Sequence, residues 1–403
     1  HAGQELDSAK ALLIKTVNIN SGTMNFAGVK EVGDIMRQEY DALGFKTEWV
    51  DGSEFNRAGH LVATYESSTH PTGTKLLLIG HLDTVFAKDD NFQSAKEINS
   101  EHIAGPGISD MKGGNVIMLA AIKSLKAQNM LQRLNIKVVL TGDEESSGRP
   151  LAKSKKALVD AAKWADVALG FEDADGDIRT AVTARRGAAT WQVTTSGNAA
   201  HSSQIFTEKV GDGAIFEMAR ILQAFRLQLA ELPLLSFNPG VIAGGTRVTP
   251  NKGGDEVAAF GKTNVVAQSA TVKGGLRAAS EEQLIEAQKI MQEVVSQHLA
   301  QTDATFTFDD GYPPMKETKG NKSLLAQYSQ VSVDLGYGPV SAVNPRNAGA
   351  ADISFTAGHV KMAIDGLGLM GDGGHTKEEV ADMTTFKQNI EKTAVLMYRL
   401  SNP

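Results

Sequence analysis

Four short stretches concentrate the side chains that hold divalent cations and move protons. "GHLDTV" carries His81 and Asp83, "GPGISDMKGG" carries Asp110, "TGDEESSG" carries Asp143, Glu144 and Glu145, and "GFEDADG" carries Glu172 and Asp173. Adjacent carboxylates repel one another and are costly to desolvate. Taken singly, each stretch has an ordinary explanation: a polar loop closing a strand, a structural histidine, or an aspartate capping a helix. Four such coincidences in a chain with nine histidines point instead to one cation-binding, proton-moving site. The chain has no cysteine, which excludes disulfides, thiolate catalysis and thiolate-held zinc, so a metal here must be held by His, Asp and Glu.

Such ligands need a frame that brings them together. "TKLLLIG", "NIKVVLTG" and "ADVALGFED" are continuous apolar runs separated by helical patterns, including Gly114 to Leu125, the signature of a parallel sheet buried on both faces. Three of the four ligand stretches follow these runs, and in open α/β sheets ligands bind beyond the carboxyl ends of strands. Upstream, helices are expected from about Ser8 to Val17 and from Gly28 to Leu43, the second closing on Gly44 before the strand "FKTEWV".

From about Arg186 the pattern changes. A strand "ATWQVTTSG", a helix from Gly211 to Leu229, strands "PGVIAGG" and "NVVAQSATVKGGLRA", a helix opened by a Ser280/Gln283 capping box, and a strand "ATFTFDD" follow. The order β-α-β-β-α-β predicts a ferredoxin-like domain. A chain of 403 residues exceeds what one core usually supports. The expected fold is α/β: a mixed, mostly parallel sheet flanked by helices, formed by 1–186 and 310–403, with an inserted α+β domain over 187–309. A net charge of -7 argues against nucleic acid as a partner. No apolar run reaches the roughly 18 to 20 residues of a membrane span. The opening "HAGQELDSAK", without Met, suggests export, to the periplasm or beyond.

"GHLDTV", "GPGISDMKGG", "TGDEESSG" and "AAHSS", in that order, resemble the di-zinc metallopeptidases and amidases that include glutamate carboxypeptidases, aminoacylases, acetylornithine deacetylase and succinyl-diaminopimelate desuccinylase. The resemblance runs from "VNINSGT" to "GGHTKEE" and is most like the glutamate carboxypeptidases among them. It implies two Zn2+ per subunit, with Co2+ or Mn2+ as substitutes. One would be held by His81, Asp110 and Glu172, the other by Asp110, Glu145 and His375, with Asp110 bridging. It further implies that the Asp83 carboxylate orients the His81 ring and that Glu144 is the general base and acid.

In the inserted dimerisation and lid domain, the resemblance makes His201 an oxyanion donor that reaches across a homodimer interface. Arg277 becomes the grip on a substrate carboxylate and Asn264 a substrate contact, as does the loop from Gly349 to Ser354 in the catalytic domain. The peptide bond after Asp110 is expected to be cis. The implied activity is hydrolysis of an amide bond next to a free carboxylate, by a carboxypeptidase releasing a C-terminal residue such as glutamate. An N-acyl-amino-acid deacylase would use the same machinery, and a non-catalytic small-molecule binding protein is the reading from another class. Arg185 and Arg186, in "TARRGAATW", stand where glutamate carboxypeptidases carry small polar residues, which marks them as candidates for altered specificity.

Overall fold

The computed structural model describes residues 2–251 and 256–401. They form two compact units: one comprises the chain up to Arg185 and from Met315, the other Arg186–Pro314. The second unit extends beyond 309 because its last strand continues to Tyr312.

The first unit is built on six strands, β1 Lys46–Asp51, β2 Gly59–Tyr65, β3 Lys75–His81, β4 Asn135–Thr141, β5 Val167–Gly170 and, after the second unit, a last strand Met362–Ile364. In the sheet they lie in the order β1, β2, β4, β3, β5, then Met362–Ile364. β3 runs parallel to β4 and β5, and β5 runs parallel to the last strand, while β1 and β2 are antiparallel additions. The apolar run in β3 has a direct cause. Leu76 and Leu78 enter one core with Ile117, Ala121 and Leu396, whereas Leu77 and Ile79 enter a second core with Leu158 and Ala162. A strand covered on both faces has no polar position to alternate with.

Helix α1 spans Ala2–Val17, α2 Phe26–Leu43 and α3 Gly113–Ala127. The first starts ahead of the expected Ser8, because "AGQEL" consists largely of good helix formers and outweighs the capping signal at Ser8. The second ends on Gly44 at φ 93°, a left-handed position that glycine adopts without a steric penalty. β2 and the strand Met362–Ile364 were absent from the sequence reading. The latter has three residues, too few for a periodic signal.

The second unit is a four-stranded antiparallel sheet of β6 Gly187–Gly197, β7 Ser236–Gly245, β8 Ser269–Ala278 and β9 Thr302–Tyr312, ordered β7, β8, β6, β9. Helices Ala214–Leu229 and Glu281–Val295 cover one face, packing Ile221, Phe225, Ala287 and Met291 against Trp191, Val193, Val272 and Leu276. This is the β-α-β-β-α-β arrangement, with a hairpin Arg247–Pro250/Val257–Phe260 between β7 and β8. β8 begins at Ser269 rather than Asn264. The intervening residues leave the sheet: Val266 N donates to Ala200 O at 3.0 Å. Ser280 caps its helix by accepting from Gln283 N, and Gln283 Oε1 accepts from Ala279 N.

Candidate metal centre

Parallel register places three of the ligand stretches at one edge of the sheet. His81 ends β3 opposite Thr141 of β4, and Ile79 lies opposite Gly170 of β5. Glu144 and Glu145 follow β4, and Glu172 follows β5, so all reach the same region. Asp110 sits in an irregular turn, Ile108–Lys112, leading into α3, and the Asp110–Met111 peptide bond is cis. His375 belongs to a loop near the C-terminus and has φ 64°. Both loops are anchored by Glu379, a fully buried residue that the sequence reading passed over. Its carboxylate accepts from Gly107 N (2.7 Å), Ser109 N (3.0 Å), Ser109 Oγ (3.1 Å) and Asp110 N (3.2 Å). Glu379 lies four positions after His375, as the last residue of "GGHTKEE", and only the fold reveals that its partners are about 270 residues upstream.

Two groups of potential ligands share Asp110. In the first, His81 Nε2 lies 3.1 Å from Asp110 Oδ1 and 3.6 Å from Glu172 Oε1. In the second, His375 Nε2 lies 2.9 Å from Asp110 Oδ2 and 3.2 Å from Glu145 Oε2. Within each group one ligand atom per residue lies within 4.8 Å of the others. Asp110 thus turns one oxygen towards each histidine, the arrangement a bridging carboxylate needs. His81, Asp110, Glu145, Glu172 and His375 are brought together from five separate parts of the chain.

Asp83 meets His81 through its main chain as well as its carboxylate. The His81 Nδ1 atom lies 2.9 Å from the Asp83 backbone carbonyl, while the carboxylate Oδ1 is 3.5 Å away. The carboxylate is taken up by Thr23 Oγ1 (2.6 Å), Glu144 N (3.0 Å) and Glu145 N (3.2 Å), which donate to it. The carbonyl is the nearer acceptor for the ring, and the carboxylate, beside the same nitrogen, also fixes the loop bearing Glu144 and Glu145.

Charge is unbalanced at this edge. Burial pushes Glu145 up to about 7, with His375 opposing and Asp110 adding to the rise. Burial also raises Glu144 and Glu172 well above the usual carboxylate range and carries Asp173 to about 7. Burial would raise Asp110 too, but the adjoining His375 and His81 outweigh it and hold this carboxyl well below its ordinary value. Hydrogen bonds to Asp110 and Glu145 lift His375 to about 11. The buried basic side chains of Lys155 and Arg185 are engaged with other carboxylates. Lys155 Nζ pairs with Asp143 Oδ1 and Asp352 Oδ1, both at 3.0 Å, and Arg185 Nε pairs with Asp365 Oδ2 at 2.9 Å. A crowded set of nitrogen and oxygen donors with a deficit of positive charge fits divalent cations of the zinc type.

Arg185 and Arg186 are not placed as specificity residues. Arg185 is buried against Asp365 and donates from Nη1 to Gly349 O at 2.7 Å. Asp365 in turn accepts from Glu172 N at 3.2 Å, so Arg185 supports the segment bearing Glu172. Arg186 Nη1 donates to Leu234 O and Ser236 Oγ within its own unit. Gly349 lies exposed in the first unit, its carbonyl held by Arg185.

His201, Asn264 and Arg277 belong to the second unit. His201 and Asn264 are brought together where Ser202 N donates to Asn264 O at 2.9 Å and His201 bridges Val265. Arg277 is exposed between buried Leu276 and Ala278, on the face of β8 away from the helices.

Residues 77–402 match the profile of peptidase family M20/M25/M40. Carboxypeptidase G2 from Pseudomonas sp. (strain RS-16) is 26% identical over 394 residues, covering 96% of this chain and 88% of that protein. A probable succinyl-diaminopimelate desuccinylase from Staphylococcus aureus (strain MRSA252) is 32% identical over 208 residues, or 50% of this chain and 47% of that protein. Among solved structures, a dinuclear metal-binding peptidase of the M20 family, the YXEP protein of Bacillus subtilis, shares the fold. Its TM-score is 0.67 at 12% identity, covering 100% of this chain and 99% of the other. With the family profile matched over most of its length, the chain belongs to peptidase family M20/M25/M40 and is a hydrolase of the metallopeptidase class.

Proposed function

We propose that this hydrolase cleaves an amide bond next to a free carboxylate, acting as a carboxypeptidase that releases a C-terminal amino acid such as glutamate. The observation that carries the reading is the pair of ligand groups sharing Asp110, in a chain alignable over 96% of its length with a carboxypeptidase. His81, Asp110 and Glu172 would hold one Zn2+, and Asp110, Glu145 and His375 the other, with Co2+ or Mn2+ as substitutes. When bound, such a pair of cations polarises a carbonyl and makes water a stronger acid at neutral pH.

The chain's own groups do the rest. Asp83 holds the main chain of Glu144 and Glu145, so neighbouring side chains can take different tasks. Glu145 is a ligand, whereas the Glu144 carboxylate takes a proton from water and delivers it to the leaving nitrogen. His201 would donate to the oxyanion, Arg277 would pair with the substrate carboxylate, and Asn264 and the Gly349 loop would contact the substrate. The resemblance supports these last assignments, together with a homodimer in which His201 serves the partner's site.

A second reading, an N-acyl-amino-acid deacylase, is favoured by the 32% identity to a probable desuccinylase. Side-by-side assays of folate-type glutamyl amides and of N-acetyl- and N-benzoyl-amino acids, with and without chelator, test both. Preference for peptide-like or folate-type amides upholds the carboxypeptidase, preference for simple N-acyl groups favours the deacylase, and activity insensitive to chelator removes both.

A further inference from the structure

Two buried cations, Arg185 and Lys155, take hold of one short segment, residues 349–352. Arg185 Nη1 donates to Gly349 O at 2.7 Å, and its Nε donates to Asp365 Oδ2 at 2.9 Å. Asp365 Oδ1 accepts from Glu172 N at 3.2 Å, so one guanidinium joins the start of the segment to the residues after β5 that bear Glu172. Lys155 works at the other end. Its Nζ pairs with Asp352 Oδ1 and with Asp143 Oδ1, both at 3.0 Å, and Thr141 Oγ1 donates to Asp352 Oδ2 at 2.5 Å. Asp143 directly precedes Glu144 and Glu145, so this ammonium joins the segment to the loop that bears them. All of these residues belong to the first unit.

The segment passes from exposed to buried within a few residues. Gly349 is exposed, whereas Ala351 and Asp352 are buried, and Asp352 opens the buried turn Asp352–Thr356. A Cβ at Gly349 would meet no atom within 4 Å, and its φ is not positive. Neither packing nor a left-handed backbone requires glycine there, and the missing side chain leaves the main chain open to a ligand. A buried ion pair adds little net stability over an apolar filling of the same volume. What it supplies is a fixed direction and distance. We infer that Arg185 and Lys155 are positioning residues: through Gly349 O and Asp352 they set the distance of this segment from the segments bearing Glu172 and Glu144–Glu145, so that the open main chain at Gly349 meets the substrate at a fixed place beside the ligands. The inference rests on the reading that the Gly349 loop contacts the substrate. Both cations act through the groups they hold.

Two variants detach the segment without stranding a charge. In Arg185→Lys the ammonium is a point donor that can pair with Asp365 but no longer serve Gly349 O as well. In Asp352→Ala, Lys155 keeps its pair with Asp143. Hydrogen exchange on the Zn2+-loaded chain, read by mass spectrometry, should show the amides of 350–354 exchanging about ten- to a hundredfold faster in each variant, the factor carried by one charge-assisted hydrogen bond. The double variant should be faster still, and Zn2+ content should stay at the wild-type level in all three. With a folate-type glutamyl amide, or an N-acetyl-amino acid if the chain hydrolyses that instead, KM should rise about tenfold while kcat changes less than about threefold. A contact away from the reacting bond stabilises ground state and transition state alike. Gly349→Ala, which leaves both attachments in place, should raise KM without changing exchange. Unchanged exchange in the double variant overturns the inference, and so does loss of Zn2+ from either single variant, since the cations would then serve the ligands rather than the segment. Faster exchange with KM unmoved, in these variants and in Gly349→Ala alike, upholds the attachment and overturns the substrate-contact reading on which it rests.

Discussion

Asp143, Glu144 and Glu145 are consecutive, yet they sit in opposite electrostatic settings. Asp143 is fully buried and pairs with Lys155 at 3.0 Å; it also accepts from Ser154 Oγ (2.5 Å) and Gly148 N (2.8 Å). Burial alone would raise it, but Lys155 and these bonds bring its carboxyl down to about 2. Glu145, two residues on, is pushed up to about 7 by burial among other carboxylates. The same side-chain chemistry thus yields a settled internal ion pair at one position and an unmet demand for positive charge two positions later. The first holds the loop, and the second creates affinity for a cation from outside the chain.

The largest expected effects test the division of labour inside the demanding region. Glu144→Gln should lower kcat by about 10^2- to 10^4-fold, the range for a positioned acid or base, with Zn2+ content nearly unchanged by elemental analysis. Glu145→Gln should lose Zn2+ itself. Equal loss of metal in both variants would erase the distinction between the two glutamates.

Next comes the settled region. Lys155→Met leaves Asp143 and Asp352 buried without their cation and should cost about 3–5 kcal/mol in urea unfolding. Adding Asp143→Asn and Asp352→Asn should recover most of that loss, because the penalty belongs to unpaired charge.

Acid should attack Asp143 through the same pair. Its folded pKa of about 2 lies below the unfolded value of about 4. The stabilisation, about 2–3 kcal/mol, is therefore present above pH 4 and lost as pH falls through 2. Unfolding midpoints between pH 5 and 2 should shift less in Asp143→Asn than in the wild-type chain.

In the cation-seeking region protons and metal compete. Near pH 8 His375, lifted to about 11, must release a proton to bind metal, as must His81, which burial would lower but its bonds to Asp110 and Asp83 raise, and below about 7 Glu145 adds another. Zn2+ affinity should then fall about tenfold per pH unit for each proton displaced, steepening below 7. Calorimetry in buffers of different ionisation enthalpy counts these protons, and a count independent of pH would contradict the assignment.

The smallest effect is at the next lysine. Lys156 pairs with Asp160 on the surface, and Lys156→Ala should change stability by less than about 0.5 kcal/mol, beside the several expected at Lys155.

Much of this site can be read from the chain because strand ends leave a local trace. An apolar run broken by His81, by Asp143 to Glu145 or by Glu172 reports both a buried strand and a polar edge. Gly44 and Ser280 likewise announce their helix ends through local backbone demands. Lys155 offers no comparable trace: in "LAKSKKALVD" it is one of three similar lysines and solvent exposure is the default reading, until the fold places it between Asp143 and Asp352. Arg185 misleads for the same reason, since a charge suited to substrate recognition is consumed by Asp365.

The chain by itself determined most of the order of elements, the ligand types and, through the resemblance, the set His81, Asp110, Glu145, Glu172 and His375. It did so because hydrophobic periodicity, turn residues and metal chemistry are properties of residue type and short spacing. Only the tertiary structure decided that the Asp83 carbonyl joins its carboxylate at the His81 ring, that Glu379 ties the Asp110 and His375 loops together, and that one of three consecutive carboxylates is already neutralised. Those outcomes depend on distances between residues far apart in sequence and on how much water the fold removes from each charge.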